Sequence, residues 1–333
     1  MKYDLVGIGN ALVDIEVRVD DEFIKQNSLT KGGMTLSCEE DQEKILNTLQ
    51  GHSTKISSGG SAANTVHGLS VLGGNAYYLG RVANDLYGRH YTEDMHSGGV
   101  GFPGPGDGTS GTGTCVVLVT PDSERTMLTH LGVSSALHSD NVDETVIRDA
   151  GVVYIEGYLW TGDETHNAAL KLAEVARKDK IPVAFTLSDA FVVNSFRDQL
   201  IDFIRWNVDI LFCNDVEAMA MAETDDIQKA FDVLKGMADT LFVTRGKNGS
   251  WACNPSNEKI EVGVFPTKAV DTTGAGDLFA AGTLFGIIKQ HSLEESAIIG
   301  SYCASEVVSQ MGGRMPAHSN ADAKSIIEKY KGL

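Results

Sequence analysis

The stretch GVVYIEGYLWTGDETHNAALKLAEVARKDKIPVAFTLS, Gly151 to Ser188, decides the architecture. It opens on the apolar run GVVYIEGY, continues as the helical pattern THNAALKLAEVARKDK, and closes on a second apolar run, IPVAFTLS. Short apolar strands separated by a helix form a crossover unit, in which the strands run parallel. The same rhythm extends to both sides. Toward the N-terminus come the strand YDLVGIG, the helix SAANTVHGLSVLGG and the strand NAYYLGRVA. In that helix Ser61 reads as the cap, Ala62, Val66, Leu69 and Leu72 share one side, and Gly73-Gly74 is the stop. Toward the C-terminus follow the strand VDILFCN, the helix DIQKAFDVLKGM and the strand DTLFVTRG. The alternation predicts an α/β fold whose mostly parallel sheet is covered by helices on both faces. In such folds ligands gather beyond the carboxyl ends of the strands, so motifs at strand-to-helix turns weigh most.

Two regions break the rhythm. In ALVDIEVRVDDEF, within residues 11–37, Val13, Ile15, Val17 and Val19 alternate with Asp14, Glu16, Arg18 and Asp20, which predicts a strand with one wet face. GFPGPGDGTSGTGTCVVLV, residues 101–119, begins as a Gly/Pro loop and ends as a strand. Together they predict a small β lid, built from insertions near 11–37 and 101–130 and hinged on the main body.

Composition narrows the function. With 27 Lys+Arg against 45 Asp+Glu, the net charge of -18 repels nucleic acid. A small phosphorylated ligand remains allowed, because a local nest of amides with one or two arginines outweighs the global field. Cys38, Cys115, Cys213, Cys253 and Cys303 are scattered without a CxxC pair, the pattern of reduced thiols rather than of a disulfide frame or zinc site. MKYDLVGIGNALVD carries Asp4 and lacks the apolar core of a signal peptide. No run approaches the roughly 20 apolar residues of a membrane span. A cytoplasmic protein that meets neither membrane nor nucleic acid is expected.

VDTTGAGDLFAAG, Val270 to Gly282, sets a glycine-rich turn before an apolar helix. The first amides of a helix lack intrahelical partners and the dipole adds positive potential, so such a turn attracts anions. Asp277 fits there if the amides hold a phosphoryl group while the carboxylate takes a proton from whatever attacks it. Alone, Asp277 reads equally well as a first-turn acid complementing the dipole. Other phosphate templates fail. TRGKNGS lacks the upstream glycine and the hydroxyl of a Walker loop, and GIGNAL has Leu12 in place of the third dinucleotide glycine. GDGTSG, Gly106 to Gly111, follows no strand and opens no helix. Neither HRD nor DFG occurs, which excludes a protein kinase.

The whole word from Asp271 to Asp277, DTTGAGD, resembles the C-terminal signature of the ribokinase (PfkB) family of small-molecule kinases. GGSAANTVHGLSVLGGNAYYLGRVANDLYG, Gly59 to Gly88, resembles the family's N-terminal signature. The two lie in the family's order, about 200 residues apart, and the likeness spans essentially the entire chain. The resemblance implies a ribokinase-like three-layer fold, one domain over residues 1–333 with a small β lid, that transfers the ATP γ-phosphoryl group to a hydroxymethyl. Asp277 would be the base, and the amides of Gly274, Ala275 and Gly276 the anion hole. Phosphoryl transfer needs mainly positioning and charge stabilisation, which suits that assignment. FCNDVEA supplies the family's NxxE word as Asn214 and Glu217, which would organise magnesium and its waters. Thr244 and Gly246 in VTRGKNG, with Thr272, would lie close to the nucleotide. Asp271 would stand at a monovalent-cation (K+) loop, and Arg125 in SERTMLTHLG would be a lid arginine reaching the phosphates.

Asn10 and Asp14 in GIGNALVD, with Gly59, Gly60 and Asn64 in GGSAAN, suit a vicinal diol, since a carboxylate accepts two hydroxyls and bare glycine lets a sugar approach. GNALVD, the ERTM…LG run and EGY resemble the family's branch acting on purine nucleosides such as adenosine more than its ribose or fructose branches. A sugar kinase for ribose, fructose or a 2-keto-3-deoxy sugar acid stays open, as does a non-catalytic sugar or nucleoside sensor. Phe102, Tyr158 and Trp160 are the aromatics proposed to stack on a base. Pro316 in SQMGGRMPAH stands where a hydroxyl ligand of the cation loop is sought, which bears against potassium dependence. The expected state is a monomer or a homodimer formed through the lid.

Overall fold

The computed structural model describes residues 1–106, 110–122, 124–255, 259–315 and 322–332. Among these residues the strands form two sheets. The larger has nine strands, in the order Ile260–Val262, Ser250–Cys253, Thr240–Thr244, Ile210–Asn214, Val183–Thr186, Ala150–Glu156, Tyr3–Ile8, Ala76–Leu79 and Val100–Gly101. All neighbours from Thr240–Thr244 to Val100–Gly101 pair in parallel, and the two strands at the other edge are antiparallel. The βαβ stretch from Gly151 to Ser188 is strand Ala150–Glu156, helix Asp163–Lys178 and strand Val183–Thr186.

Alternate residues of the central strands enter different cores, because successive side chains of a strand point to opposite faces. Val6, Ile8, Val153, Ile155, Val183 and Phe185 pack into one core, and Leu5, Val152, Tyr154 and Ala184 into the other. Each face is covered by helices, giving the three-layer α/β architecture. Helix Ala275–Ile288 packs against helices Ser61–Val71 and Leu293–Val308, and its residues Leu278 to Leu284 are all buried. The order of the sheet reverses between Tyr3–Ile8 and Ala150–Glu156, and the crevice beyond their carboxyl ends is the expected ligand position.

The smaller sheet has five strands, in the order Met34–Leu36, Arg125–Gly132, Thr112–Val119, Leu12–Arg18 and Thr54–Gly59. Its last strand, TKISSG, falls outside the two insertions read from the sequence. Gly101, placed with the lid from the sequence, instead pairs with Tyr77 in the larger sheet. The wet face expected for Leu12–Arg18 is also corrected. Arg18 is exposed, but Asp14 and Glu16 are buried, because that face covers a cavity and the chain at Gly312. No described helix is long and apolar enough to cross a membrane. Cys115, Cys213, Cys253 and Cys303 are buried free thiols, and Cys38 is an exposed one.

Candidate active site

A cavity of about 270 Å³ opens between the two sheets. Its floor is the turn Thr272–Gly276 and the first residues of helix Ala275–Ile288. Gly274 caps this helix in the left-handed region, at φ 70°, where an added Cβ would also overlap the Gly313 carbonyl. Glycine is therefore required on two counts, and the turn leaves the Gly276 amide without a helical partner at the cavity, while the Ala275 amide donates to the Thr272 carbonyl at 3.3 Å. Behind the turn lies Asp271, which is 0 % exposed. One of its oxygens accepts from the Thr273 amide at 2.9 Å and the Thr273 hydroxyl at 2.5 Å, and the other from the Gly312 amide at 2.8 Å. Arg125, from the smaller sheet, pairs with the same carboxylate at 3.4 Å.

Asp277 stands in the first turn of the helix and is held by side chains of a neighbouring one. Ser61 Oγ donates to its Oδ1 at 2.7 Å, and Asn64 Nδ2 donates to its Oδ2 at 3.0 Å. Burial raises the Asp277 carboxyl to about 6, while those two donors and Arg125 pull the other way. Three more acids line the cavity. Glu156, at the end of its strand, accepts from the amides of Asn10 at 2.8 Å and Ala62 at 2.7 Å, and burial lifts it to about 7. Its bond to the Asn10 side chain ties the two strand ends at the reversal of the sheet. Glu217 faces Asn214 in a reciprocal cap. The Asn214 amide and Nδ2 donate to Glu217, and Asn214 Oδ1 accepts from the Glu217 amide. Burial pushes Glu217 up to about 8.

Asp14 is the fourth, and its surroundings differ. It projects from the smaller sheet into the cavity, and among the described residues nothing donates a hydrogen bond to it. Burial lifts it to about 7, with Arg125 opposing and Glu16 reinforcing the rise. Gly59 lies beneath it, and any Cβ there would overlap the Asp14 carboxylate. Gly60, at φ 95°, caps the helix that carries Ser61 and Asn64. The wall above Asp14 is apolar: Met34, Leu36, Met127 and Leu131 come from two strands of the smaller sheet.

The cavity thus gathers Asn10, Asp14, Gly60, Asn64, Arg125, Asn214, Glu217, Thr244, Thr272, Gly274, Ala275, Gly276 and Asp277. Gly59 sits behind Asp14, and Asp271 behind the turn. Gly246 lies on a short 3-10 turn after Thr240–Thr244 and does not line the cavity. Of the aromatics proposed to stack, only Tyr158 reaches it. Phe102 packs on Tyr78 and Tyr91, and Trp160 on Phe185 and Phe203, so both are core residues. Pro316 and the middle of GDGTSG, residues 107–109, lie outside the described residues. Sequence reasoning assigned no site role to Glu156 and read Ser61 only as a helix cap; Glu156 had a signal, as a lone acid ending an apolar strand beside the reversal point.

Among the described residues lining the cavity, four acids face one basic side chain, Arg125. A polyphosphate entering that field needs a cation beside it, and oxygen donors such as Glu217 and Asn214 suit hydrated magnesium. No three acidic, histidine or cysteine side chains group as direct metal ligands among the described residues.

A family model for pfkB family carbohydrate kinases matches residues 27–320. A crystal structure of adenosine kinase from Sinorhizobium meliloti superposes with a TM-score of 0.92 at 37% identity, covering 99% of both chains. A probable sugar kinase protein from Rhizobium etli CFN 42 matches with a TM-score of 0.92 at 36% identity over 99% of both chains. Adenosine kinase from Saccharomyces cerevisiae is 27% identical over 97% of this chain and 100% of its own.

Proposed function

This chain belongs to the pfkB family of carbohydrate kinases, and from that membership we propose that it moves the γ-phosphoryl group of ATP onto the 5′-hydroxyl of adenosine or a close purine nucleoside. The observation that carries the acceptor is Asp14, a carboxylate with no donor facing a cavity whose upper wall is Met34, Leu36, Met127 and Leu131. An ionised carboxylate accepts both hydroxyls of a ribose diol, and a flat purine covers apolar wall that a bare sugar leaves wet. The adenosine kinases of S. meliloti and S. cerevisiae support the nucleoside; the probable sugar kinase of R. etli is the reason to test sugars beside it.

In this reading the ribose rests on Asp14, Asn10 and the backbone at Gly60, with its hydroxymethyl toward Asp277. The nucleotide enters from the side of Thr244, Thr272 and Asn214. Its γ-phosphoryl group meets the amides of Gly274, Ala275 and Gly276, and Arg125 offsets charge there. Asp277 takes the proton of the attacking hydroxyl; at about 6 it is ionised at neutral pH yet basic enough to accept. Magnesium, held through water by Glu217 and Asn214, would screen the phosphates. Asp271, bonded to Thr273 and Gly312 and paired with Arg125, acts as a strut under the turn.

A coupled assay of ATP consumption across nucleosides, ribose, fructose and 2-keto-3-deoxy sugar acids tests the reading. Purine nucleosides are expected to give the highest kcat/KM. A sugar in first place transfers the enzyme to the sugar branch, and consumption with none of them leaves a sensor.

A further inference from the structure

The helix Ser61–Val71 begins one residue earlier than a serine cap at Ser61 requires. Gly60 is its cap, at φ 95° and without a side chain to contribute, so Ser61 is already inside the first turn. Its hydroxyl is therefore free of capping and turns outward to Asp277 Oδ1 at 2.7 Å. Residues three and four further on lie on the same face of a helix. Here they are Asn64, donating to Asp277 Oδ2 at 3.0 Å, and Thr65, whose hydroxyl donates to the Asp277 main-chain carbonyl at 3.2 Å. One helical face thus grips one aspartate at three atoms. The start of that helix is fixed in turn, because Glu156 accepts the Ala62 amide at 2.7 Å.

From this geometry we propose that Ser61 is a positioning residue for phosphoryl transfer, its hydroxyl holding Oδ1 of Asp277 so that the carboxylate meets the acceptor hydroxyl in one fixed orientation. The proposal rests on Asp277 being the base. A carboxylate oxygen has two lone-pair positions. One donor on each oxygen leaves each with one, and locks rotation of the carboxylate about its bond to Cβ. The grip comes wholly from the main body, so it does not depend on where the smaller sheet stands. A donor on the charged form also favours that form. Facing Asp277 from the packed elements are Asn64 and Ser61 on their helix, Arg125 and Asp14 on the smaller sheet, Tyr154 and Glu156 on their strand, and Tyr158 and Glu217 beyond it. Of these only Arg125 carries positive charge, so removing the Ser61 donor leaves Asp277 harder to ionise.

The test is single-turnover phosphoryl transfer, measured from pH 5 to 9 in the wild type, Ser61→Ala, Ser61→Thr and Asp277→Asn. Ser61→Ala is expected to lower the rate at pH 7 roughly tenfold and to move the acid limb up by about one pH unit, for loss of one hydrogen bond to a charged group. KM for ATP should stay within about twofold, and Ser61→Thr, which restores a hydroxyl, should recover most of the rate. An unchanged acid limb and rate in Ser61→Ala, with Asp277→Asn inactive, overturns the proposal and leaves the base in place. Activity retained by Asp277→Asn overturns the base and the proposal together. If Ser61→Ala fails to fold, Ser61→Thr and Ser61→Cys decide: a wild-type limb in Ser61→Cys, whose thiol donates weakly, counts against the hydroxyl.

Discussion

Two aspartates face the same cavity, Asp14 buried and Asp277 half-buried, and their surroundings are opposite. Asp277, at the start of a helix in the main body, is held by Ser61, Asn64 and Thr65. Asp14, on a strand of the smaller sheet, has no donor among the described residues. A buried charge without partners costs free energy, so a fold retains one where a ligand completes it. On the proposed function the difference separates the roles: the gripped carboxylate serves a step whose geometry is fixed beforehand, and the ungripped one the molecule that arrives. The supports differ in the same way. Asp277 rests on helices packed through the core, while Asp14 rests on a sheet tied to the turn by Arg125 and Asp271.

The comparison breaks most sharply at Asp277. Asp277→Asn keeps the shape and loses the base, so kcat should fall on the order of 100- to 10,000-fold with ATP binding and melting temperature nearly unchanged. A variant that keeps most of the wild-type kcat makes Asp277 a helix-start acid and nothing more. At Asp14 the expected effect is smaller and lies elsewhere. Asp14→Asn should raise the acceptor KM about ten- to a hundredfold while leaving that of ATP alone, because hydrogen bonds to a charged acceptor are worth roughly 1.5–3 kcal/mol. For the same reason 2′-deoxyadenosine should be a poor substrate of the wild type. A rise confined to the KM of ATP would put the acceptor site in the wrong place.

The pH dependence sharpens the contrast. Both acids are raised by burial, Asp14 to about 7 and Asp277 to about 6. Both must be ionised to act, so activity is full above these values and is lost as pH falls through them. The acid side of kcat/KM for the acceptor, which reports the free enzyme, should carry both ionisations. Asp14→Asn should delete the one near 7 and leave the one near 6. The smallest effect is expected at Glu217. Glu217→Gln should raise the magnesium needed for half-maximal rate a few-fold and barely move acceptor binding, since contact through water leaves most of the metal's ligands in place. An unchanged magnesium titration returns Glu217 to its cap with Asn214.

Local patterns made one half of this comparison legible in the sequence and hid the other. The strand–helix alternation and the turn from Asp271 to Asp277 are contiguous, and their periodicity and glycine content carry the fold and the base. The smaller sheet was legible only in part, because TKISSG lacks the alternation of a half-buried strand. Asp14 and Glu16 read as a wet face for a physical reason: alternation tells which residues share a side, not whether that side meets water or a cavity. Ser61 read as a cap because a serine before an apolar helical run is the usual signal. The positive φ of Gly60 moved the cap by one residue and freed the hydroxyl for Asp277. Phe102 and Trp160 failed as stacking residues because an aromatic near a motif fills a core at least as readily as it lines a site.

The division of labour between the two aspartates is tested most directly by isothermal titration of adenosine into the wild type, Asp14→Asn and Asp277→Asn. The account predicts that Asp277→Asn binds adenosine within a few-fold of the wild type, while Asp14→Asn loses about ten- to a hundredfold in affinity. Binding that survives in Asp14→Asn and collapses in Asp277→Asn would contradict it.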